Sequence, residues 1–139
     1  MQYIRKDSFI ILRLDRGDEI ISSLKSVALK ENISFGTISA IGALNKVEIG
    51  TYLFDQKQYL SNIYEGDYEI ISLLGNITTK DNKPYIHCHI SLSDKNNNCF
   101  GGHLTSGVIS ATLECVIEIK DIQIDRRVDD VSNLNIFNI

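Results

Sequence analysis

The sequence predicts an α+β fold, in which a mostly antiparallel or mixed β-sheet is covered on one face by one main helix. Only one stretch of the 139 residues shows the three-to-four-residue apolar spacing of a helix, while most of the remainder shows two-residue alternation or β-branched runs. The elements follow the order strand, helix and then a long series of strands. This order excludes parallel βαβ winding for most of the chain.

The helix is predicted over residues 18–31 by apolar residues at positions 20, 21, 24, 27 and 28. Asp18 and Glu19 favour the positive end of the helix dipole. Asn32 suits the left-handed conformation that ends a helix, and the β-branched Ile33 indicates that the chain resumes in extended form.

The strands are predicted from alternation and β-branched residues, and turn-forming residues separate them. Turn signals lie at Gly42 and at residues 65–67, 80–83 and 94–98. The predicted strands are residues 9–14, 35–41, 46–54, 68–79, 84–93 and 108–123.

The length and composition are those of a single domain, 1–139, with a self-sufficient core. Residues 125–130 form a charged patch that we interpret as a solvated connection. The tail after it is too apolar to be a free end, so we expect it to pack against the body or a neighbouring subunit.

Charge and cysteine content exclude several classes of protein. Fourteen basic against eighteen acidic residues give a net charge of -4, which makes nucleic acid an unexpected partner. No apolar run approaches the ~20 residues of a membrane span, and no secretory leader pattern is present, so we expect a cytoplasmic protein without a membrane partner. Cys88, Cys99 and Cys115 show no CxxC spacing, which fits reduced thiols.

The three histidines are the strongest candidates for chemistry. His87 and His89 stand two apart in a predicted strand, so both point to one face with α-carbons about 6.6–7 Å apart. Cys88 lies on the other face and is excluded as a ligand. His103 follows Gly101 and Gly102, which allow a close backbone approach or a sharp turn, so it could join the pair.

Three imidazoles are the ligand set with which zinc keeps a fourth position for water or substrate, and nickel, cobalt, copper or iron would also fit. Glu114, on a polar strand face, is the candidate general base on a metal-bound water, or the hydrogen-bond acceptor that fixes the tautomer of a histidine. Two alternatives stay open: the histidines pair with cross-strand carboxylates, and Glu114 is only a solvated side chain. No phosphate-binding loop and no serine or cysteine nucleophile motif is present.

Several segments together resemble the plant- and prokaryote-conserved (PPC) domain, in a stand-alone prokaryotic form. The resemblance runs from about residue 3 to residue 122, which leaves 123–139 as a C-terminal tail. It is carried by GAL at 42–44, GDYEIISLLGNI at 66–77, KPYIHCHISLSD at 83–94 and GGHL at 101–104, with LRLDRGDEI at 12–20 and ATLE at 111–114.

The resemblance implies a homotrimer and, in bacterial or archaeal members, a metal held by histidines that match His87, His89 and His103. Plant members carry AT-hooks that bind DNA, but this chain has no Arg-Gly-Arg-Pro core, and Asp67 stands where the plant partner-interaction motif has arginine. The sequence, with this resemblance, therefore predicts a trimer with a three-histidine site for a divalent metal. Zinc is the expected ion, and the site could take a small-molecule or anionic ligand. The sequence identifies no reaction. A DNA-associated or regulatory protein without catalytic activity is the alternative, and a structural trimer whose histidines only bridge neighbours is a third hypothesis.

Overall fold

A computed structural model describes residues 1–139 and contains one α-helix and eight strands. The α-helix, α1, is Ile20–Lys30, and a single 3₁₀ turn covers Phe54–Gln56. The strands are β1 Gln2–Lys6, β2 Phe9–Asp15, β3 Gly36–Leu53, β4 Gln58–Lys80, β5 Lys83–Ser93, β6 Cys99–Ile119, β7 Arg126–Val128 and β8 Asn135–Phe137.

Six strands form one sheet in the order β1-β2-β6-β3-β4-β5, and every pairing between them is antiparallel. The first residues of β6 also pair with β5. The strands β6, β3, β4 and β5 therefore form a closed ring of four hydrogen-bonded strands. This confirms the predicted mostly antiparallel sheet with one helix. β7 and β8 form a separate two-stranded hairpin.

The central strands of the sheet are longer than the sequence predicts. The two predicted strands 35–41 and 46–54 are one strand, β3, which is interrupted by register shifts near Gly42 and Leu44. The predicted turn at 65–67 is wrong, because these residues lie inside β4. Leu44 pairs with Tyr68 and Lys46 with Glu65, so the glycine signal there marks an extra residue in the ladder and not a chain reversal.

The predicted helix starts two residues too early, because the helix begins at Ile20 and Glu19 is its N-cap. Its carboxylate accepts hydrogen bonds from the backbone N–H groups of Ile21 and Ser22 and from that of Gly107, which ties the helix start to β6. Asn32 is left-handed with φ of 52°, as predicted. The helix buries one apolar face in a core of 24 buried residues beneath the sheet. None of the helices has the length and apolar character that a membrane crossing demands.

The tail packs against the body of this same chain, as one of the two sequence alternatives expected. The ring of Phe137 meets Phe35 edge-on with centroids 6.4 Å apart, and the Tyr52 hydroxyl donates a hydrogen bond to the Ser132 carbonyl. The interpretation of residues 125–130 as a solvated connection is wrong at Arg126, which is half-buried in β7. β1, β7 and β8 are too short for an alternation signal, so the sequence did not predict them.

Candidate metal centre

The closure of β5 onto β6 brings the three histidines together. His87 and His89 project from the same face of β5, and His103 of β6 stands directly opposite His89 in the register. The ring centroids lie 5.2 to 5.5 Å from one another, and one nitrogen of each ring lies within 4.8 Å of those of the other two. The cluster that the sequence predicted is therefore present as a geometric arrangement.

Gly101 makes this pairing possible. A Cβ at residue 101 would lie 2.2 Å from the carbonyl oxygen of Ile90, far inside van der Waals contact. Only a residue without a side chain lets β6 approach β5 so closely at this point. The paired glycines before His103 are thus the local signal that sets its position.

The opposite face of β5 anchors the strand. Cys88, Ile90 and Leu92 are buried in the apolar core, as the alternation predicted. Burial raises the pKa of the Cys88 thiol to about 12, so the thiolate form that a metal requires is unfavourable there. This agrees with the exclusion of Cys88 as a ligand.

His87 and His103 lie in an environment that favours the neutral form of the imidazole. Burial, followed by the charges of His103, Arg126 and His89, lowers the pKa of His87 to about 4. Burial and then the charge of His89 also lower the pKa of His103. Neutral imidazole is the form that binds metal ions, so no proton has to be removed from His87 at neutral pH.

No carboxylate partners the cluster, so the alternative of cross-strand ion pairs is wrong. Asn76 stands opposite His87 in the register, and Leu74 and His103 stand opposite His89. The structure contains no ion pair between a histidine and an acidic residue.

The donor set fits a metal ion by its chemistry and by one unpaired atom. His103 Nδ1 is buried and has no hydrogen-bond partner, which is costly for a polar atom unless it serves another purpose. Three neutral imidazoles are a ligand set that zinc uses in proteins, so the donor types and their mutual spacing within 4.8 Å fit such an ion.

Glu114 lies far from the cluster within this chain. It is exposed on β6, eleven residues beyond His103, which corresponds to roughly 36 Å of extended strand. Its neighbours in the register are Arg13 and Ile41. The predicted role of Glu114 as proton acceptor at the histidines has no support from this arrangement.

His87 and His103 border a cleft of about 580 Å³, a volume in the range of small-molecule sites. Sequence reasoning missed most of its walls, which come from the β3–β4 turn, from the β4–β5 hairpin and from the tail; the only available signal was the apolar tail. The residues around the cleft include Tyr52, Lys57, Gln58, Tyr59, Asn76, Tyr85, Arg126 and Phe137, together with His87, His103 and residues 133–136.

Comparison with known proteins gives a family match over most of the chain. The model of the Plants and Prokaryotes Conserved (PCC) domain matches residues 1–120. No curated protein matches the sequence.

Solved structures share the fold over nearly the whole chain. A Pyrococcus horikoshii plant- and prokaryote-conserved protein is 31% identical, with a TM-score of 0.88 over 99% of this chain and 94% of its own. A metal-containing protein from Archaeoglobus fulgidus is 29% identical, with a TM-score of 0.87 over 98% and 96%. A Bacteroides thetaiotaomicron protein whose name suggests DNA binding is 26% identical, with a TM-score of 0.95 over 99% and 96%.

Proposed function

Since the chain belongs to the Plants and Prokaryotes Conserved domain family, we propose that it binds one divalent metal ion, with His87, His89 and His103 as ligands. Zinc is the expected ion, because three neutral imidazoles are a common zinc ligand set with an open position. The observation that carries the proposal is the convergence of one nitrogen from each of three imidazoles within 4.8 Å of one another, and the buried His103 Nδ1 without a hydrogen-bond partner supports it. The metal-containing relative from Archaeoglobus fulgidus supports it.

We propose that the metal site keeps one coordination position free for a ligand and that the fold does not depend on the metal. Three protein ligands leave one tetrahedral position, and no cysteine or carboxylate faces the cluster to fill it. When bound, the metal would supply Lewis acidity toward a ligand in that position. The chain's own residues fix the arrangement: β5 and β6 orient the imidazoles, and the Tyr59 ring packs 4.8 Å from that of His103.

Metal analysis of untagged protein tests the site. We expect about one zinc per chain, and zinc affinity at least about 100-fold weaker after each of His87→Ala, His89→Ala and His103→Ala. Cys99→Ala is the matched control, because Cys99 is the one exposed thiol and could capture zinc adventitiously. Full occupancy in all three histidine variants would overturn the proposal.

Chelation tests whether the site is open. Metal-free protein should keep its circular dichroism spectrum and most of its thermal stability, because the 24-residue core forms without the ion. Cooperative unfolding on chelation would make the site structural.

We propose that the assembly is a homotrimer that covers an exposed apolar row. Cross-strand register places side chains of Ile4, Ile11, Val116 and Leu74 in line across the sheet, with Ser39 between the last two, and the four apolar residues are 41 to 69% exposed. Such a continuous apolar surface favours association. The row ends at His89, the register partner of Leu74, so the interface would border the metal site.

Light scattering of wild-type protein should give three times 15.6 kDa. Ile11→Asp should lower this mass and keep the circular dichroism spectrum of the folded protein. Leu29→Asp, on the exposed side of α1, should leave the mass unchanged. A wild-type monomer at all concentrations would refute the trimer.

DNA association is the second candidate, and the name of the Bacteroides relative favours it. The net charge of -4 opposes charge-driven binding to phosphates. We expect no specific duplex binding by tag-free protein in gel-shift assays at physiological salt. Sequence-selective, submicromolar binding would replace the ligand-binding proposal with this one.

A further inference from the structure

Arg126 carries a positive charge that no carboxylate balances. Its guanidinium donates to the Thr78 hydroxyl at 2.8 Å, to the Asn135 carbonyl at 2.7 Å and to the Asn76 amide oxygen at 2.7 Å, and all three acceptors are neutral. The residue forms no ion pair, although it is half-buried. A partly desolvated cation without a counter-charge is unfavourable, and an anionic ligand would relieve that cost.

Two aromatic rings and three neutral acceptors contact the guanidinium of Arg126. The Tyr85 and Phe137 ring centroids lie 4.6 and 4.8 Å from the guanidinium carbon, so the plane of the group is flanked by aromatic rings. Three of the five N–H groups of an arginine are used by the neutral acceptors. One N–H on each terminal nitrogen remains, which is the number that one carboxylate requires.

Arg126 borders the histidines in the same cleft. Its partner Asn76 stands directly opposite His87 in the β4–β5 register, where side chains are neighbours. Lys57 is the second cation around the cleft, and no aspartate or glutamate lines it. The remaining walls are rich in aromatic rings, which suit a flat organic body.

We propose that the cleft binds a small organic carboxylate, with the carboxylate on Arg126 and the body of the molecule directed along the aromatic walls toward the histidines. The inference rests on the proposed metal site for its second anchor, because a cation on the histidines would add to the attraction. The family model ends at residue 120, so Arg126 lies outside the residues that this model matches.

Calorimetric titration with benzoate, on zinc-loaded and on metal-free protein, tests the proposal. Arg126→Gln should weaken benzoate binding by roughly tenfold or more, and it should not weaken zinc binding, because it removes a positive charge that acts on His87. Arg127→Gln is the matched control, because Arg127 is the exposed neighbour in β7. Equal benzoate affinity in wild type and Arg126→Gln would overturn the proposal.

A second measurement guards against loss of tail structure in the variant. In wild-type protein, benzoate should shift the NMR resonance of the Arg126 Nε–H group, and an unchanged resonance at saturating benzoate would overturn the proposal. Inorganic phosphate is the comparison ligand: tight phosphate binding without benzoate binding would also overturn the carboxylate assignment.

The two proposals fail differently. Absence of zinc binding with an Arg126-dependent benzoate signal in metal-free protein would sink the metal site and keep the carboxylate site. Zinc binding without benzoate binding would keep the metal site and overturn the carboxylate site.

Discussion

The apolar core and the histidine cleft use opposite faces of the same strand, and they are built under different physical rules. On β5, Cys88, Ile90 and Leu92 are at most 2% exposed, while His87 is half-buried and His89 is exposed on the other face. The core gains free energy by removing apolar area from water. The cleft instead gathers an unpartnered imidazole nitrogen and an unbalanced guanidinium, both of which cost free energy until a ligand arrives. The comparison indicates that one face of β5 stabilises the fold, while the other face carries the candidate binding site.

The largest expected effect comes from a comparison of two leucines on opposite faces of β4. Leu73 is fully buried, and its neighbour Leu74 is 58% exposed. Leu73→Ala should lower the free energy of unfolding by about 2–5 kcal/mol, because it removes buried methyl groups and leaves a cavity. Leu74→Ala should cost well under 1 kcal/mol in the isolated subunit. Urea unfolding curves measure both, and equal losses would contradict the division into a core face and an outer face.

Gly101→Ala should damage fold and site together. The new methyl group would collide with the Ile90 carbonyl, so β6 must move away from β5. We expect about 1–3 kcal/mol of destabilisation and a zinc affinity at least about tenfold weaker, because His103 moves away from His89.

Gly17→Ala provides a comparison glycine away from the histidines, since no atom lies within 4 Å of its Cβ position, although its φ of 91° adds backbone strain. It should lower stability without a change in zinc affinity. Unaltered zinc binding in Gly101→Ala would show that the close strand approach does not set the site.

A smaller effect is expected for the stability of metal-free His103→Ala. This substitution removes a buried nitrogen that has no hydrogen-bond partner, so the lost ring packing is partly offset. The free energy of unfolding of the metal-free protein should stay within about 1 kcal/mol of wild type even though zinc binding is lost. Chemical denaturation in the presence of a chelator measures it, and a loss as large as that of Leu73→Ala would place His103 in the structural core.

A pH dependence of the metal-free protein is a further expected effect. The pKa of His87 is about 4 in the folded chain, against about 6.5 in an unfolded chain. Between these values the unfolded state binds a proton that the folded state does not, so stability should rise with pH through this window. NMR titration of the imidazoles and unfolding at several pH values measure it, with His87→Asn as the variant that flattens this part of the curve. A folded-state pKa near 6.5 would contradict the expected environment.

Local patterns in the sequence determined which residues share a face. The two-residue period of a strand places His87 and His89 on one side and Cys88 on the other wherever β5 lies in the sheet. The helix, its left-handed end at Asn32 and the antiparallel sheet follow from equally local signals. A turn signal is less specific, since glycine also marks a bulge, as near Gly66.

Only the tertiary structure decided which faces meet. The pairing of His103 with His89 depends on the closure of β6 onto β5, and the distance to Glu114 depends on the uninterrupted length of β6. Arg126 reaches the cleft because the tail folds back over β4 and β5. Strand pairing and tail docking are set by register and packing between segments far apart in the chain, and alternation along one segment carries no information about its partner. The sequence therefore specifies the candidate ligating side chains, while the walls of the cleft and the proposed anion contact arise from packing.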